Sequence, residues 1–158
     1  MSKWFYANIF LLLLVLYQVM THYTFSTLSL PVLFGLIGFL FYLFNWTRNA
    51  MFSSIRTTPD RKRKIKLANI SKKVLPFHRW TGTSALIFII LHAVFIIKWY
   101  GFSYSITKMV VGLIACLNLF LLVGTGWLRL FKPTGKLRKI HLGLGLSLFF
   151  LISLHLIL

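Results

Sequence analysis

The sequence predicts an all-α integral membrane protein: a bundle of five transmembrane helices forming one domain over residues 1–158. Three observations predict it. Of the 158 residues 58% are hydrophobic and 12% charged, with a mean hydropathy of +0.83, far too little polar surface for a soluble domain of this size. Five segments, 4–23, 28–46, 76–100, 109–128 and 137–158, each supply the roughly 20 mostly apolar residues that one crossing needs. Finally, sixteen of the eighteen Lys and Arg residues fall on the same side of the spans that these segments define.

The elements follow in order. Lys3 alone precedes the first apolar run, which is long and is followed in THYTFST by no small-x-small cleavage site, so it reads as a retained helix and not as a signal peptide. The second span leads into a basic segment, 47–75, expected as a loop. It carries Arg48, Arg56, Arg61, Lys62, Arg63, Lys64, Lys66, Lys72 and Lys73, and Arg79 stands just inside the third span. The other side has only Lys98, near the end of the third span, and Lys108, just before the fourth. The fourth holds the one cysteine, Cys116, in an apolar run, which allows no disulfide and no CxxCH attachment. Arg129, Lys132, Lys136, Arg138 and Lys139 then precede or open the fifth span. Basic residues collect on the cytoplasmic side, so the N-terminus is expected in the cytoplasm, the C-terminus outside and the chain in the cell membrane as a multi-pass protein.

A net charge of +17 against a single acid, Asp60, can indicate nucleic-acid binding. In a chain this apolar it indicates orientation instead, and no nucleic-acid partner is expected. The run 61-RKRKIK-66 would touch anionic lipid headgroups or dock an acidic cytoplasmic partner. No Gly-rich phosphate loop is present, and the spans leave no room for a nucleotide-binding domain.

Ionisable residues inside spans are rare and usually functional. The third span carries His78 and His92 and the fifth carries His141 and His155, each pair fourteen residues apart. That spacing is about 21 Å of axial rise and within about 40° of four full turns, so each pair projects from one face at two depths. The third and fifth spans run in the same direction. His78 and His141 therefore share an inner level, and His92 and His155 an outer one. Facing imidazoles at each level are expected to be the axial ligands of two b haems stacked between the third and fifth helices. Both helices read H-x3-G-x9-H, placing Gly82 and Gly145 one turn above the inner histidines, where a missing side chain lets a porphyrin approach the backbone. Arg79 and Arg138 are the nearest cations for inner propionates; Lys98, Tyr100, Tyr104 and Lys108 are outer candidates. His22, without a matching partner, is expected at the interface. A bare-ion site is disfavoured, because ligands must converge within about 2 Å of the ion, whereas the two histidines of each helix lie about 21 Å apart.

The stretch HRWTG with LH fourteen residues after its histidine, and the basic LRKIHLGLG followed by LH, resemble the ferric reductase-like transmembrane domain family. That family includes eukaryotic ferric reductases, NADPH oxidases and the haem-bearing membrane subunit of a bacterial methionine sulfoxide reductase system. The resemblance covers roughly 75–158. It implies bis-His haem ligation by His78, His92, His141 and His155, iron as the bound metal, and an oxidoreductase's electron-transport subunit. Relatives commonly have a sixth helix and a fused FAD and NAD(P)H domain, whereas this sequence ends three residues beyond His155. A separate donor, a cytoplasmic flavoprotein or membrane quinol, is therefore expected, with an extracellular acceptor such as ferric iron, a flavin, dioxygen or a partner protein. No catalytic side chain is singled out. The competing expectations are a haem-bearing anchor exchanging electrons with quinone in a larger complex, and a haem-free small transporter.

Overall fold

The computed structural model describes residues 3–22 and 28–158, and these form five α-helices: α1 (Lys3–His22), α2 (Leu30–Thr57), α3 (Arg61–Tyr100), α4 (Thr107–Phe131) and α5 (Gly135–Ile157). All five are long and apolar enough to cross a membrane, which is compatible with a multi-pass membrane protein. The expected end of the first span at Tyr23, and the rest of the 23–27 stretch, lie outside the described residues.

Local chemistry sets the helix ends. Pro31 occupies the first turn of α2, where its missing N–H costs nothing. Asp60 caps α3 by accepting the Lys62 N–H at 2.8 Å, the usual use of a carboxylate at an N-cap. Gly101, at φ 74°, ends α3 in a conformation that side chains disfavour. Thr134 caps α5 through the Leu137 N–H.

One expectation is corrected. The basic segment 47–75 is not a loop: α2 continues to Thr57 and α3 begins at Arg61, leaving only Thr58, Pro59 and Asp60 between them. Hydropathy detects where a helix meets lipid, not where it stops. Residues 61–75 contain no Gly or Pro and are rich in Lys, Arg, Leu and Ile, most of them good helix formers whatever the solvent.

α3 packs on α2 and α4, and α5 packs on α4 and α1, while α1 also rests on α2. Among the described residues α3 and α5 are not a closely packed pair; they face each other across the histidines. The core lies on the other side, where Leu11, Val15, Phe39, Tyr42, Leu43, Trp46, Ala115, Leu119 and Leu148 join α1, α2, α4 and α5. Trp46 stacks on Phe149 at 5.2 Å and meets Trp4 edge-on at 5.5 Å. Side-chain hydrogen bonds tie the helices where lipid offers none: Asn8 Nδ2 to Leu43 O, Gln18 Nε2 to Leu156 O, Asn118 Nδ2 to Ser147 Oγ, and Trp127 Nε1 to Thr83 Oγ1. Cys116 is a half-buried free thiol. In the apolar windows of α3 and α5 only 6% of residues are buried, against 33% in α2. The histidine-bearing helices are thus the least covered by protein.

Candidate functional site

The four histidines meet as two pairs. His78 faces His141 with ring centroids 6.4 Å apart and planes at 80°, and His92 faces His155 at 6.4 Å and 87°. The N-terminal histidine of each helix meets the N-terminal histidine of the other, so α3 and α5 run parallel, with the two levels separated by about 21 Å.

Each ring is held from behind by a neighbouring helix. His92 Nδ1 donates to Pro31 O at 2.8 Å, and His155 Nδ1 donates to Lys108 O at 3.1 Å. His141 Nδ1 donates to Leu122 O at 3.1 Å, with Thr125 Oγ1 also at 3.1 Å. A main-chain carbonyl can only accept, so in these three rings Nδ1 carries the proton and Nε2 presents a lone pair on the opposite side. His78 differs: its Nδ1 meets the Asn45 Oδ1 at 2.8 Å, an oxygen that also accepts from Thr81 Oγ1 at 2.8 Å. Turned over, the Asn45 amide would donate to that nitrogen and accept the Gly82 N–H at 2.9 Å. The orientation of the Asn45 amide and the tautomer of His78 are therefore one choice.

These acceptors follow a repeat that the histidines alone do not reveal. Fourteen residues separate Pro31 from Asn45 and Lys108 from Leu122, the same interval as His78 to His92 and His141 to His155. Four residues after three of them stands a glycine, Gly35, Gly112 or Gly126. In a helix the N–H of residue i+4 lies under the carbonyl of residue i, so each glycine clears the surface beside the accepting oxygen. A Cβ would lie 2.9 Å from His92 Nδ1 at Gly35, 2.9 Å from His155 Cε1 at Gly112 and 3.4 Å from His141 Cε1 at Gly126. Four residues after Asn45 stands Asn49 instead, and there the acceptor is a side chain. The hairpins α2–α3 and α4–α5 thus use one plan: one helix supplies histidines, the other the groups that orient them. Helices two and four, in which the sequence shows nothing that marks chemistry, supply every partner of the four Nδ1 atoms.

The geometry discriminates between uses of the pairs. An imidazole nitrogen lies about 1.1 Å from its ring centre, from C–N bonds of about 1.33 Å, so the facing nitrogens, if aligned, stand about 4.2 Å apart. That is too long for a hydrogen bond. It matches two nitrogens on opposite sides of one metal ion at about 2.0–2.1 Å each, the imidazole distance known for zinc. Among the described residues no group of three or more His, Cys, Asp or Glu gathers to hold a metal. At each level, among the described residues, two opposed imidazoles stand with no third His, Cys, Asp or Glu beside them.

The other expected site residues are placed as follows. A Cβ at Gly82 would lie 3.5 Å from Asn45 Nδ2, and one at Gly145 would lie 3.5 Å from Trp46 Cζ3, so both border α2. Arg79 is half-buried beside His78, and Arg138 is exposed early in α5. Two cations not singled out from the sequence stand on the helices that support the histidines: Arg48, one turn beyond Asn45, and Arg129, one turn beyond Gly126. The charges of both act on His78 and His141. Arg48 Nε is buried without a hydrogen-bond partner among the described residues, and the chain's single acid is occupied at the α3 cap. Lys98, Tyr100, Tyr104 and the Lys108 side chain lie at the exposed opposite end. His22 is exposed at the end of α1, its Nδ1 donating to Gln18 O at 3.1 Å.

Comparison with family models, with curated proteins and with solved structures found no match to this chain.

Proposed function

We propose that the chain holds two b haems, one between His78 and His141 and one between His92 and His155, and passes electrons across the cell membrane between them. The observation that carries this reading is the pair of 6.4 Å imidazole separations at two levels, each ring backed on its Nδ1 side. Bound there, each porphyrin iron supplies a one-electron couple. The protein's part is orientation. Carbonyls of Pro31, Lys108 and Leu122 hold three rings in the tautomer that leaves Nε2 free, and the Asn45 amide does the same for His78 when its oxygen rather than its nitrogen faces Nδ1. Arg48, Arg129 and Arg79, whose charges act on the inner histidines, are the candidates to meet inner propionates, with Arg138 early in α5.

With both axial positions taken by histidine, neither iron keeps an open site, which favours electron transfer over oxygen binding at the metal. The positive-inside bias puts His78 and His141 toward the cytoplasm. Electrons then run outward, from a flavoprotein or quinol donor to ferric iron, a flavin, dioxygen or a partner protein. The motif resemblance to ferric reductase-like proteins points the same way and places the chain as an oxidoreductase's electron-transfer subunit.

The test is a spectrum. Chain purified from haem-replete cells should show a dithionite-reducible b-type spectrum with two haems per polypeptide. Protein without that spectrum ends the proposal and leaves a haem-free transporter as the better account.

Asn45 gives a sharper test, because His78 is oriented by a side chain that substitution can remove, whereas a main-chain carbonyl holds each of the other three rings. Asn45→Leu is expected to weaken haem retention at the inner level by about 10–100-fold, the usual effect of losing the hydrogen-bond partner of a ligating histidine, and to leave the outer level unchanged. Asn45→Asp, which can only accept, should keep the inner haem and lower its midpoint potential. Haem titration of depleted protein and a redox titration measure both. Equal effects on the two haems would mean that Asn45 acts on the fold rather than on His78.

A further inference from the structure

The helix α3 is longer than any membrane crossing needs. Its 40 residues span about 60 Å, against about 40–45 Å for a bilayer with its headgroups. The apolar part begins at Pro76, so the 61–75 segment continues about 22 Å beyond the hydrocarbon. It does not run alone. Phe52 and Ile55 of α2 and Ala68 and Leu75 of α3, with Arg48 and Lys72, line an open groove of about 240 Å³ between the helices, and Ser71 at their contact is only 5% exposed. A packed helix pair stands as a post above the inner histidine level, where a single amphipathic helix could lie flat in the interface.

Height then sorts the cations. With Pro76 at the hydrocarbon boundary and α3 along the membrane normal, Lys72 and Lys73 stand about 5–6 Å outside the hydrocarbon, at headgroup depth. Arg61, Lys62, Arg63, Lys64 and Lys66 lie about 15–22 Å out. The headgroup layer is about 5–7 Å thick, so most of this run stands more than the ~8 Å physiological screening length from lipid charge. All five side chains are exposed, and the neighbouring Asp60 is turned to the α3 cap. At that height lipid charge is largely screened from the tip, and Asp60, the chain's single acid, offsets only one of its five cations.

We propose that the tip of the α2–α3 hairpin, Arg61–Lys66, is the docking site of an acidic soluble protein. Given the proposed function, that protein is the electron donor. Opposite charge steers such an encounter and raises its rate, and α3 leads from the docking face straight down to His78.

The experiment uses the full chain in neutral-lipid nanodiscs, with flavodoxin as the acidic redox probe. Wild-type chain should bind flavodoxin at low salt and release it as salt rises. Arg61→Glu, Arg63→Glu and Lys64→Glu together should weaken binding by about tenfold or more and slow haem reduction by flavodoxin, as charge-steered association requires, without changing reduction by dithionite. The control reverses Lys132, Lys136 and Lys139, three exposed cations of the same side outside the hairpin tip, and should leave flavodoxin binding unchanged. The proposal falls if wild-type chain does not bind, if the tip variant binds as wild type, or if the control loses as much. Binding is read independently of haem. A haem-free chain that still binds through the tip would end the electron-transfer reading alone, and a haem-bearing chain indifferent to the tip would end the docking site alone.

Discussion

His92→Leu is expected to yield a folded protein with one haem instead of two, the outer one lost and the inner one unchanged in spectrum and potential. Leu fills much of the imidazole's volume and favours a helix, so α3 should persist. What disappears is the Nε2 lone pair opposite His155. Losing an outer-shell partner of a ligand already costs about 10–100-fold, so removing a ligand itself should lower outer-haem affinity by more than that range. His155→Leu should give the same product, whereas His78→Leu and His141→Leu should spare the outer level. About 21 Å separates the levels, and no histidine serves both. In proteoliposomes each variant should lose electron delivery to an acceptor on the far side. If every single substitution removed both haems equally, the two-level assignment would be wrong.

Gly35→Ala and Gly112→Ala should be nearly as damaging at the outer level, although neither residue can bind a metal. A Cβ at either position would stand 2.9 Å from a histidine ring atom, so the ring must shift relative to its carbonyl partner, now at 2.8 Å for His92 and 3.1 Å for His155. About 10–100-fold weaker haem retention follows, as for other losses of ligand orientation. Gly126→Ala, with its nearest contact at 3.4 Å, should do less, and at the inner level only. At Gly124 and Gly143 an added Cβ would meet nothing within 4 Å; alanine there should leave both haems in place and raise helix stability by up to about 1 kcal/mol. The series separates two roles of glycine by sign. General helix stabilisation predicts a gain at every position, whereas a cradle for the ring predicts a loss only at Gly35, Gly112 and Gly126. Haem stoichiometry and thermal melts on the same samples read both quantities, and a uniform gain would exclude the cradle.

The sequence by itself determined the parts that depend on side-chain identity and period. Five apolar runs defined five helices, because only chain segments of that length and character suit a membrane. The fourteen-residue interval in two helices put His78 beside His141 and His92 beside His155, because four turns of helix return a side chain to the same face. What the sequence could not show was of two kinds. The segment 47–75 is helical apart from Thr58–Asp60, since lipid contact and helicity are separate properties and hydropathy reports only the first. The partners of three histidines are the carbonyls of Pro31, Lys108 and Leu122, and every residue has a carbonyl, so nothing in the amino-acid letters distinguishes these. Gly35, Gly112 and Gly126 mark where they lie, but a glycine in a membrane helix more often records close helix packing. Only the placement of α2 behind α3 and of α4 behind α5 decided which oxygens back which rings. Side chains are written in the sequence, and the main-chain groups that orient them acquire a role only through tertiary contact.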